Sequence, residues 1–215
     1  MDKIFTLAVN LAIKAGELIL EEAKSENFNH TTKRDLSPVT TADIASDILI
    51  RGGLKSTGIP IISEESQVDK VDSETFWLVD PLDGTKEFLK GLDEFTVNIA
   101  LVEKNEPTFG VIVAPARGEI FYGGKTVRMA FRKVWDSKNV KVQKATPEIR
   151  KRGVRIVTSR SHMSKQEQRF IEKNNIVEVR QTGSSLKLCN VAMGEVDVYP
   201  RYVGSSEWDI AAGHA

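Results

Sequence analysis

Three acidic segments that lie far apart in the chain each border a short apolar run. Ser63–Glu65 follows the run Pro60–Ile62, Asp80–Thr85 follows Phe76–Val79, and Asp209 precedes an apparent helix of small residues. Short apolar runs of this kind are typical of buried strands. We therefore expect a fold in which three separate strand or helix ends offer carboxylates.

The ligand types in these segments indicate a hard divalent cation. Carboxylates without a nearby histidine or cysteine suit magnesium rather than zinc, and magnesium leaves positions open for water and phosphate. Gly84 lets the backbone approach a ligand, and its N–H and that of Thr85 can receive phosphate oxygens. One acidic pair alone would more often be a solvated loop or a helix cap. Three segments together favour metal-assisted phosphoryl transfer.

Hydrophobic periodicity predicts the secondary structure of the first half. An amphipathic helix is expected within residues 1–24, and a threonine caps a second helix that carries Asp43 in its first turn. Turn residues then separate three antiparallel strands, Phe95–Val102, Thr108–Ala114 and Glu119–Tyr122. This half reads as α+β.

The pattern changes in the second half of the chain. From Gly153 onward, strands and helices alternate, which is typical of α/β structure. Residues between the two patterns are rich in charge and short of apolar periodicity. We therefore predict an α+β half at residues 1–132, which carries the metal-binding motifs, and an α/β half at residues 133–215.

Composition excludes several classes of partner. Thirty basic residues balance thirty acidic ones, and the sequence pI is about 6.9, so no overall charge would gather a nucleic acid polymer or an anionic membrane. Charged residues interrupt the first helix, which argues against a signal peptide or a membrane span. The single cysteine, Cys189, indicates a reducing compartment. We expect a cytoplasmic protein, with peripheral association at the inner membrane as the alternative.

The three acidic segments, in their order and separation, resemble the magnesium-dependent, lithium-sensitive phosphatases typified by inositol monophosphatase. The resemblance covers essentially the whole chain. It implies a layered α/β/α/β/α sugar-phosphatase fold, two or three Mg²⁺ ions between the two halves, and inhibition by Li⁺. Members of this family continue for several elements after the Trp208-Asp209 motif, so the fold is expected to be truncated at its C-terminal end.

The resemblance also implies roles for individual residues. The metal ligands would be Glu64, Asp80, Asp83 and Asp209, with the carbonyl oxygen of Leu82. Glu64 would also belong to the catalytic group. Thr85 would position the attacking water, and Asp43 would orient that water or accept its proton.

Three further segments resemble the 3′(2′),5′-bisphosphate nucleotidase branch of the family. They are Lys86–Phe88, Ser159–His162 and Gly183–Lys187. In that branch His162 and Ser184 would contact the nucleoside, and Lys187 and Arg201 would hold a second phosphate that is not cleaved. The substrate-binding set would be completed by Asp83, Gly84, Thr85, Lys86 and Asp209. As alternatives, His162 could cap a helix near Ser164 and Arg201 could pair with a surface carboxylate.

The resemblance therefore implies hydrolysis of the 3′-phosphate of adenosine 3′,5′-bisphosphate to AMP and phosphate by metal-activated water. The partner would be a small phosphorylated nucleotide, and the oligomeric state stays open. One rival is inositol monophosphatase or fructose-1,6-bisphosphatase activity of the same family. Another is a truncated, non-catalytic phosphate-binding protein.

Overall fold

The fold is built on one large mixed sheet with helices on both faces. The computed structural model describes residues 3–24, 30–32, 38–66, 71–127, 129–134, 143–144, 153–160, 163–202 and 204–215. The helices are α1 (Lys3–Glu22), α2 (Thr41–Leu54), α3 (Thr85–Leu89), α4 (Lys165–Lys173), α5 (Leu186–Ala192) and α6 (Glu207–His214). The strands are β1 (His30–Thr32), β2 (Pro38–Thr40), β3 (Ile61–Ser63), β4 (Thr75–Asp83), β5 (Thr96–Glu103), β6 (Glu106–Ala114), β7 (Glu119–Gly124), β8 (Met129–Val134), β9 (Gln143–Lys144), β10 (Val154–Ser159) and β11 (Ile176–Thr182).

Seven strands form the central sheet in the order β3-β4-β5-β6-β7-β8-β9. β3 runs parallel to β4, and every later neighbour in this sheet is antiparallel. The three predicted antiparallel strands correspond to β5, β6 and β7, so that prediction is confirmed. β10 and β11 pair in parallel as a separate sheet, and β1 pairs with β2.

The first face of the central sheet is covered by α1 and α2. The apolar stripe of α1 is buried at three- and four-residue steps, which is the spacing of one helix face. Phe5 on this stripe stacks on Phe109 of β6, with ring centroids 4.4 Å apart. Thr40 caps α2, which confirms the predicted threonine cap, and Asp43 completes a capping box.

The opposite face of the sheet is covered by α6, which packs on β4, β5 and β6. The approach is close at Gly110, where a Cβ atom would lie 2.1 Å from the carbonyl oxygen of Ala212. α5 contacts both α6 and β10, so it lies between the two sheets. This is the predicted layered arrangement of sheets and helices. In the described part of the chain no helix is long and apolar enough to span a membrane.

Strand β4 extends further than the sequence suggests. The sequence places Asp80–Thr85 after the apolar run Phe76–Val79, but β4 continues to Asp83. Asp80 pairs with Asn98 and Asp83 pairs with Thr96, with an irregularity between the two pairs. Pro81 lies in this irregularity, where its missing N–H removes no ladder hydrogen bond. Both aspartates therefore remain attached to the rigid sheet.

Candidate active site

One cavity of about 410 Å³ gathers most of the predicted site residues. It opens where the end of β4 and the starts of α3, α5 and α6 meet. The predicted residues that line it are Glu64, Asp80, Leu82, Asp83, Gly84, Thr85, Lys86, Ser184, Lys187, Arg201 and Asp209. Asp43 lies behind Thr85, and His162 lies outside the described residues.

Asp80 is the most deeply buried carboxylate of the cavity, with 1% of its surface exposed. Its Oδ1 accepts a 3.2 Å hydrogen bond from the N–H of Leu82, whereas its buried Oδ2 has no hydrogen-bond donor among the described residues. Burial raises the pKa of Asp80 well above its usual range, and the charges of Asp83, Glu64 and Asp209 raise it further. An orphaned carboxylate oxygen among like charges is a position that a cation would satisfy.

Two further carboxylates are held by donors from the second half of the chain. Oδ2 of Asp83 accepts from Ser184 Oγ at 2.8 Å and from the N–H of Ser185 at 2.6 Å. Burial raises the pKa of Asp83, although the charge of Lys187 and these two hydrogen bonds oppose the rise. Burial and then the charge of Asp83 raise the pKa of Asp209 to about 6, against the N–H of Ser206. Both groups lie in the field of the other carboxylates.

The donor set fits magnesium. It consists of carboxylate oxygens and a backbone carbonyl, which are the hard ligands that this ion prefers. Across the described residues, no three His, Cys, Asp or Glu side chains are already gathered as closely as metal ligands.

Thr85 and Asp43 form a hydrogen-bonded pair beside the carboxylates. Thr85 Oγ1 lies 3.2 Å from Asp43 Oδ1 and 3.2 Å from the carbonyl oxygen of Leu82. The other carboxylate oxygen of Asp43 accepts from the N–H of Thr40 at 2.8 Å and from its hydroxyl at 2.5 Å. The helix cap thus fixes the orientation of the Asp43 carboxylate toward Thr85.

Gly84, immediately before α3, has a positive φ of 88°. A Cβ atom at this position would lie 2.8 Å from the carbonyl oxygen of Glu94. Both the conformation and the close approach require glycine. From the sequence, Gly84 was expected to let the backbone approach a ligand. In the structure, any other residue at this position would be strained.

Lys187 supplies a buried cation next to the carboxylates. Its side chain donates to the carbonyl oxygen of Ser184, and its Nζ lies 5.5 Å from the centre of the Tyr199 ring. Burial lowers the pKa of Lys187, against the opposing charge of Asp83. Burial raises the pKa of Tyr199 to about 12. The cavity therefore holds a buried cation beside its carboxylates.

Arg201 lines the same cavity as Lys187, and its charge contributes to the lowered pKa of Lys187. Its guanidinium donates to Ser205 Oγ at 3.1 Å and to the carbonyl oxygen of Gly204 at 3.3 Å. These described partners are neutral, which does not support the alternative of a surface ion pair.

The alternative for His162 was to cap a helix near Ser164. That helix is α4, and its N-cap is Ser164, in a capping box with Glu167.

Several polar residues that hold the site were not predicted. Ser46 of α2 donates to the carbonyl oxygen of Pro81 at 2.8 Å, and Ser63 donates to Asp47 at 2.6 Å. These contacts attach α2 to the strands that carry the carboxylates. Two others, Thr96 and Asn98, are polar residues at alternating positions of an otherwise apolar buried strand. That alternation was a signal available in the sequence.

Comparisons with known proteins agree with this geometry. The sequence model described as "Inositol monophosphatase family" matches residues 1–215. The 3′(2′),5′-bisphosphate nucleotidase CysQ of Salmonella typhimurium is 38% identical over 95% of this chain and 83% of its own length. CysQ of Escherichia coli K12 is 36% identical over 100% of this chain and 85% of its own length.

The fold agrees with solved structures as well. A crystal structure of CysQ from Bacteroides thetaiotaomicron superposes with a TM-score of 0.81 at 36% identity, over 97% of this chain and 83% of that one. That CysQ is a bacterial member of the inositol monophosphatase family. The sequence motifs, the layered fold and these relatives lead to one conclusion: the chain belongs to the inositol monophosphatase family.

Proposed function

We propose that the chain is a 3′(2′),5′-bisphosphate nucleotidase that removes the 3′-phosphate of adenosine 3′,5′-bisphosphate, giving AMP and phosphate. The observation that carries the proposal is the position of Lys187, a buried cation in the same cavity as the carboxylates. A substrate with one phosphate to cleave and a second to anchor fits a cavity that is lined by both carboxylates and cations. The CysQ relatives, whose names state this activity, support the same substrate class.

The carboxylate side would hold Mg²⁺. We assign Glu64, Asp80, Asp83, Asp209 and the carbonyl oxygen of Leu82 as ligands, for two or three ions. Bound Mg²⁺ supplies charge neutralisation at the phosphate and a water of lowered pKa. We also propose that Li⁺ competes with Mg²⁺ at this site and inhibits the reaction.

The chain's own residues would handle the attacking water. Thr85 Oγ1 would hold the water beside the scissile phosphate and accept its proton, while the proton of the Thr85 hydroxyl passes to Asp43 Oδ1 across their 3.2 Å contact. Because the capping box holds the Asp43 carboxylate, the acceptor is oriented before substrate binds. Gly84, Lys86 and Asp209 would complete the contacts around this phosphate.

Lys187 and Arg201 would hold the phosphate that is not cleaved. Lys187 is 7% exposed and donates to the carbonyl oxygen of Ser184, so a phosphate would be a further acceptor for a largely desolvated charge. Ser184 and His162 would contact the nucleoside.

We also propose a reducing compartment such as the cytoplasm, since Cys189 is free and buried.

Competing substrates test the proposal. Phosphate release would be measured from adenosine 3′,5′-bisphosphate, inositol 1-phosphate and fructose 1,6-bisphosphate at one enzyme concentration, with Mg²⁺, and again with increasing Li⁺. We expect kcat/KM for the nucleotide to exceed that for inositol 1-phosphate, which has no second phosphate, by about 10²- to 10⁴-fold, the value of two charge-assisted hydrogen bonds. It should also exceed that for fructose 1,6-bisphosphate, which has no nucleoside for Ser184 and His162 to contact. Preference for inositol or fructose phosphates would favour the rival enzymes. Nucleotide binding without Mg²⁺-dependent release from any substrate would indicate a non-catalytic protein.

A further inference from the structure

A hydroxyl cluster joins the two halves of the molecule behind the cavity. The turn Gly183–Ser185 from the second half contacts Asp83 through Ser184 Oγ and the N–H of Ser185. Both donors end on the same oxygen, Asp83 Oδ2. The orientation of this carboxylate therefore depends on where the turn is held.

Thr96 is the residue of the sheet that meets this turn. It is fully buried on β5, directly opposite Asp83 in the strand register. Its Oγ1 lies 2.6 Å from Ser184 Oγ, 2.7 Å from Ser185 Oγ and 3.1 Å from Asn98 Oδ1. One threonine hydroxyl thus touches both serines that approach Asp83.

Hydrogen counting fixes the direction of the chain of hydrogen bonds. A hydroxyl has one hydrogen to donate and two lone pairs to accept with. The hydrogen of Ser184 is directed to the Asp83 carboxylate, so the 2.6 Å contact with Thr96 requires Thr96 to donate. The 2.7 Å contact between Thr96 Oγ1 and Ser185 Oγ also needs a hydrogen, and since that of Thr96 goes to Ser184, Ser185 supplies it, although its Oγ also lies 2.8 Å from Asn98 Oδ1. The order is then Thr96 to Ser184 to Asp83, and each donor polarises the next.

The conformation of Ser184 shows why such a hold is needed. Its φ is +54°, a left-handed conformation that is uncommon outside glycine. Ser184 would leave this conformation readily without a partner for its side chain. The contact with Thr96 is one partner that compensates for the strain.

We propose that Thr96 is a positioning residue for the cation site: it orients Asp83 through Ser184 and leaves Asp83 Oδ1 directed to a divalent cation. The inference rests on the proposed function for its cation, but not on the identity of the nucleotide. Thr96 is not among the residues that line the cavity.

The test is Mn²⁺ binding to the whole purified chain, followed through the electron paramagnetic resonance signal of free Mn²⁺. Thr96→Val removes the hydroxyl at nearly constant volume, and Thr96→Ser retains it. Thr158→Val is the matched control, because Thr158 is a fully buried strand threonine whose hydroxyl has no partner in the described part of the chain. Thermal unfolding of each metal-free variant reports on the fold, and Thr96→Ala replaces Thr96→Val should the valine variant not fold.

We expect Thr96→Val to weaken Mn²⁺ binding by about 10- to 100-fold, the usual effect of removing a residue that orients a metal ligand. Thr96→Ser and Thr158→Val should bind as the wild type does. Adding Ser184→Ala to Thr96→Val should weaken binding no further than Ser184→Ala alone, since both act on one path. Wild-type affinity in Thr96→Val and Thr96→Ala, or full additivity with Ser184→Ala, would overturn the inference.

The two proposals fail separately. Suppose that Mn²⁺ binding follows the expected pattern across the variants, but the wild type does not hydrolyse the nucleotide. That result would contradict the proposed function and leave the role of Thr96 intact. Nucleotide hydrolysis by the wild type, with unchanged Mn²⁺ binding in Thr96→Val, would support the proposed function and contradict the role of Thr96. Wild-type protein that binds no Mn²⁺ would overturn both.

Discussion

The hydroxyl of Thr85 lies 3.2 Å from the carboxylate of Asp43, although 42 positions separate the two residues in the chain. Thr85 is the first residue of α3, and Asp43 lies in the first turn of α2. The two helix starts face each other because Ser46 of α2 is hydrogen-bonded to the carbonyl oxygen of Pro81 in β4. A helix cap and a strand end together build the pair to which we assign the proton transfer.

Replacement of Asp43 by asparagine should therefore affect turnover more than folding. An amide can retain one of the capping contacts of Thr40, but it cannot accept a proton at neutral pH. We expect Asp43→Asn to lower kcat by about 10²- to 10⁴-fold, the usual contribution of a general base, with little change in KM. Steady-state kinetics and thermal unfolding of the same preparation check this.

Thr85 provides the matched pair of variants. Thr85→Ser keeps the hydroxyl and should retain most of the activity, whereas Thr85→Val should resemble Asp43→Asn. Asp43→Asn that retained wild-type kcat would remove this residue from the proposed mechanism.

Lys187 should determine the preference for a second phosphate. Lys187→Met keeps a long side chain beside Tyr199 but removes the charge. We expect the KM for adenosine 3′,5′-bisphosphate to rise by about 10- to 100-fold, in line with one charge-assisted hydrogen bond, while hydrolysis of adenosine 3′-monophosphate changes little. Both substrates would be followed by phosphate release.

The control for this prediction is Lys125→Met. Lys125 is exposed, pairs with Glu106 and does not line the cavity, so neither KM should change. An equal loss with both substrates in Lys187→Met would show that Lys187 does not distinguish the second phosphate.

Removal of the Asp80 charge should stabilise the metal-free protein. Burial and neighbouring carboxylates disfavour the charged form of Asp80, which is the cause of its raised pKa. Asp80→Asn relieves that cost at neutral pH but also removes a metal ligand. We expect metal-free Asp80→Asn to unfold at a higher temperature than the wild type, and Mg²⁺ to raise the unfolding temperature of the wild type only. Thermal unfolding with EDTA and with Mg²⁺ measures both effects.

Asp47 is the matched control for Asp80. It is equally buried but accepts hydrogen bonds from Ser63 at 2.6 Å and Arg51 at 2.8 Å. Asp47→Asn should therefore lower the unfolding temperature without EDTA dependence. A lower unfolding temperature for metal-free Asp80→Asn would contradict the proposed repulsion at the cavity.

The sequence predicted the parts of the site whose signals are local. The segment Asp80–Thr85 and the position of Asp43 after a threonine cap could both be read from neighbouring residues. It did not predict that β4 continues to Asp83, because a proline between two aspartates also fits a turn. That distinction depends on pairing with β5, which only the fold provides.

Residues that act across the two halves were not predicted either. Thr96 and Glu94 contact the turn at Gly183 and Ser184 from nearly 90 positions away, and no spacing in the sequence encodes that contact. The polar alternation of Thr96 and Asn98 showed that one face of β5 was unusual. It did not show which segment would cover that face.

Glu94 is the second link to the turn, and its charge should appear in the acid stability of the protein. The carboxylate accepts from the N–H of Gly183 at 2.9 Å and from two nitrogens of Arg160 at 2.9 and 2.8 Å. Burial alone would raise its pKa, but hydrogen bonds from Arg160 and Gly183 and the charges of Arg160 and Arg117 lower it below the ordinary 4.5. The ionised form is therefore the one that the fold stabilises.

The sign of the pH dependence follows from that direction. A carboxyl group with a lowered folded pKa contributes stability above its unfolded pKa, and the contribution is lost as the pH falls through the folded pKa. For Glu94 the contribution is complete above about pH 4.5, which is its ordinary pKa. We expect Glu94→Gln to be less stable than the wild type at pH 7, and the gap to close as the pH falls below 4.5. Urea unfolding at a series of pH values measures this gap.

The arginine partners of Glu94 provide further variants. Arg160→Met should reduce the loss of stability at acid pH, as Glu94→Gln does. The reduction should be larger than in Arg117→Met, because Arg160 makes the closer contacts. Parallel pH profiles for wild type and Glu94→Gln down to pH 3 would show that the folded pKa of Glu94 is not lowered, and the link from Glu94 to Gly183 would then not depend on charge.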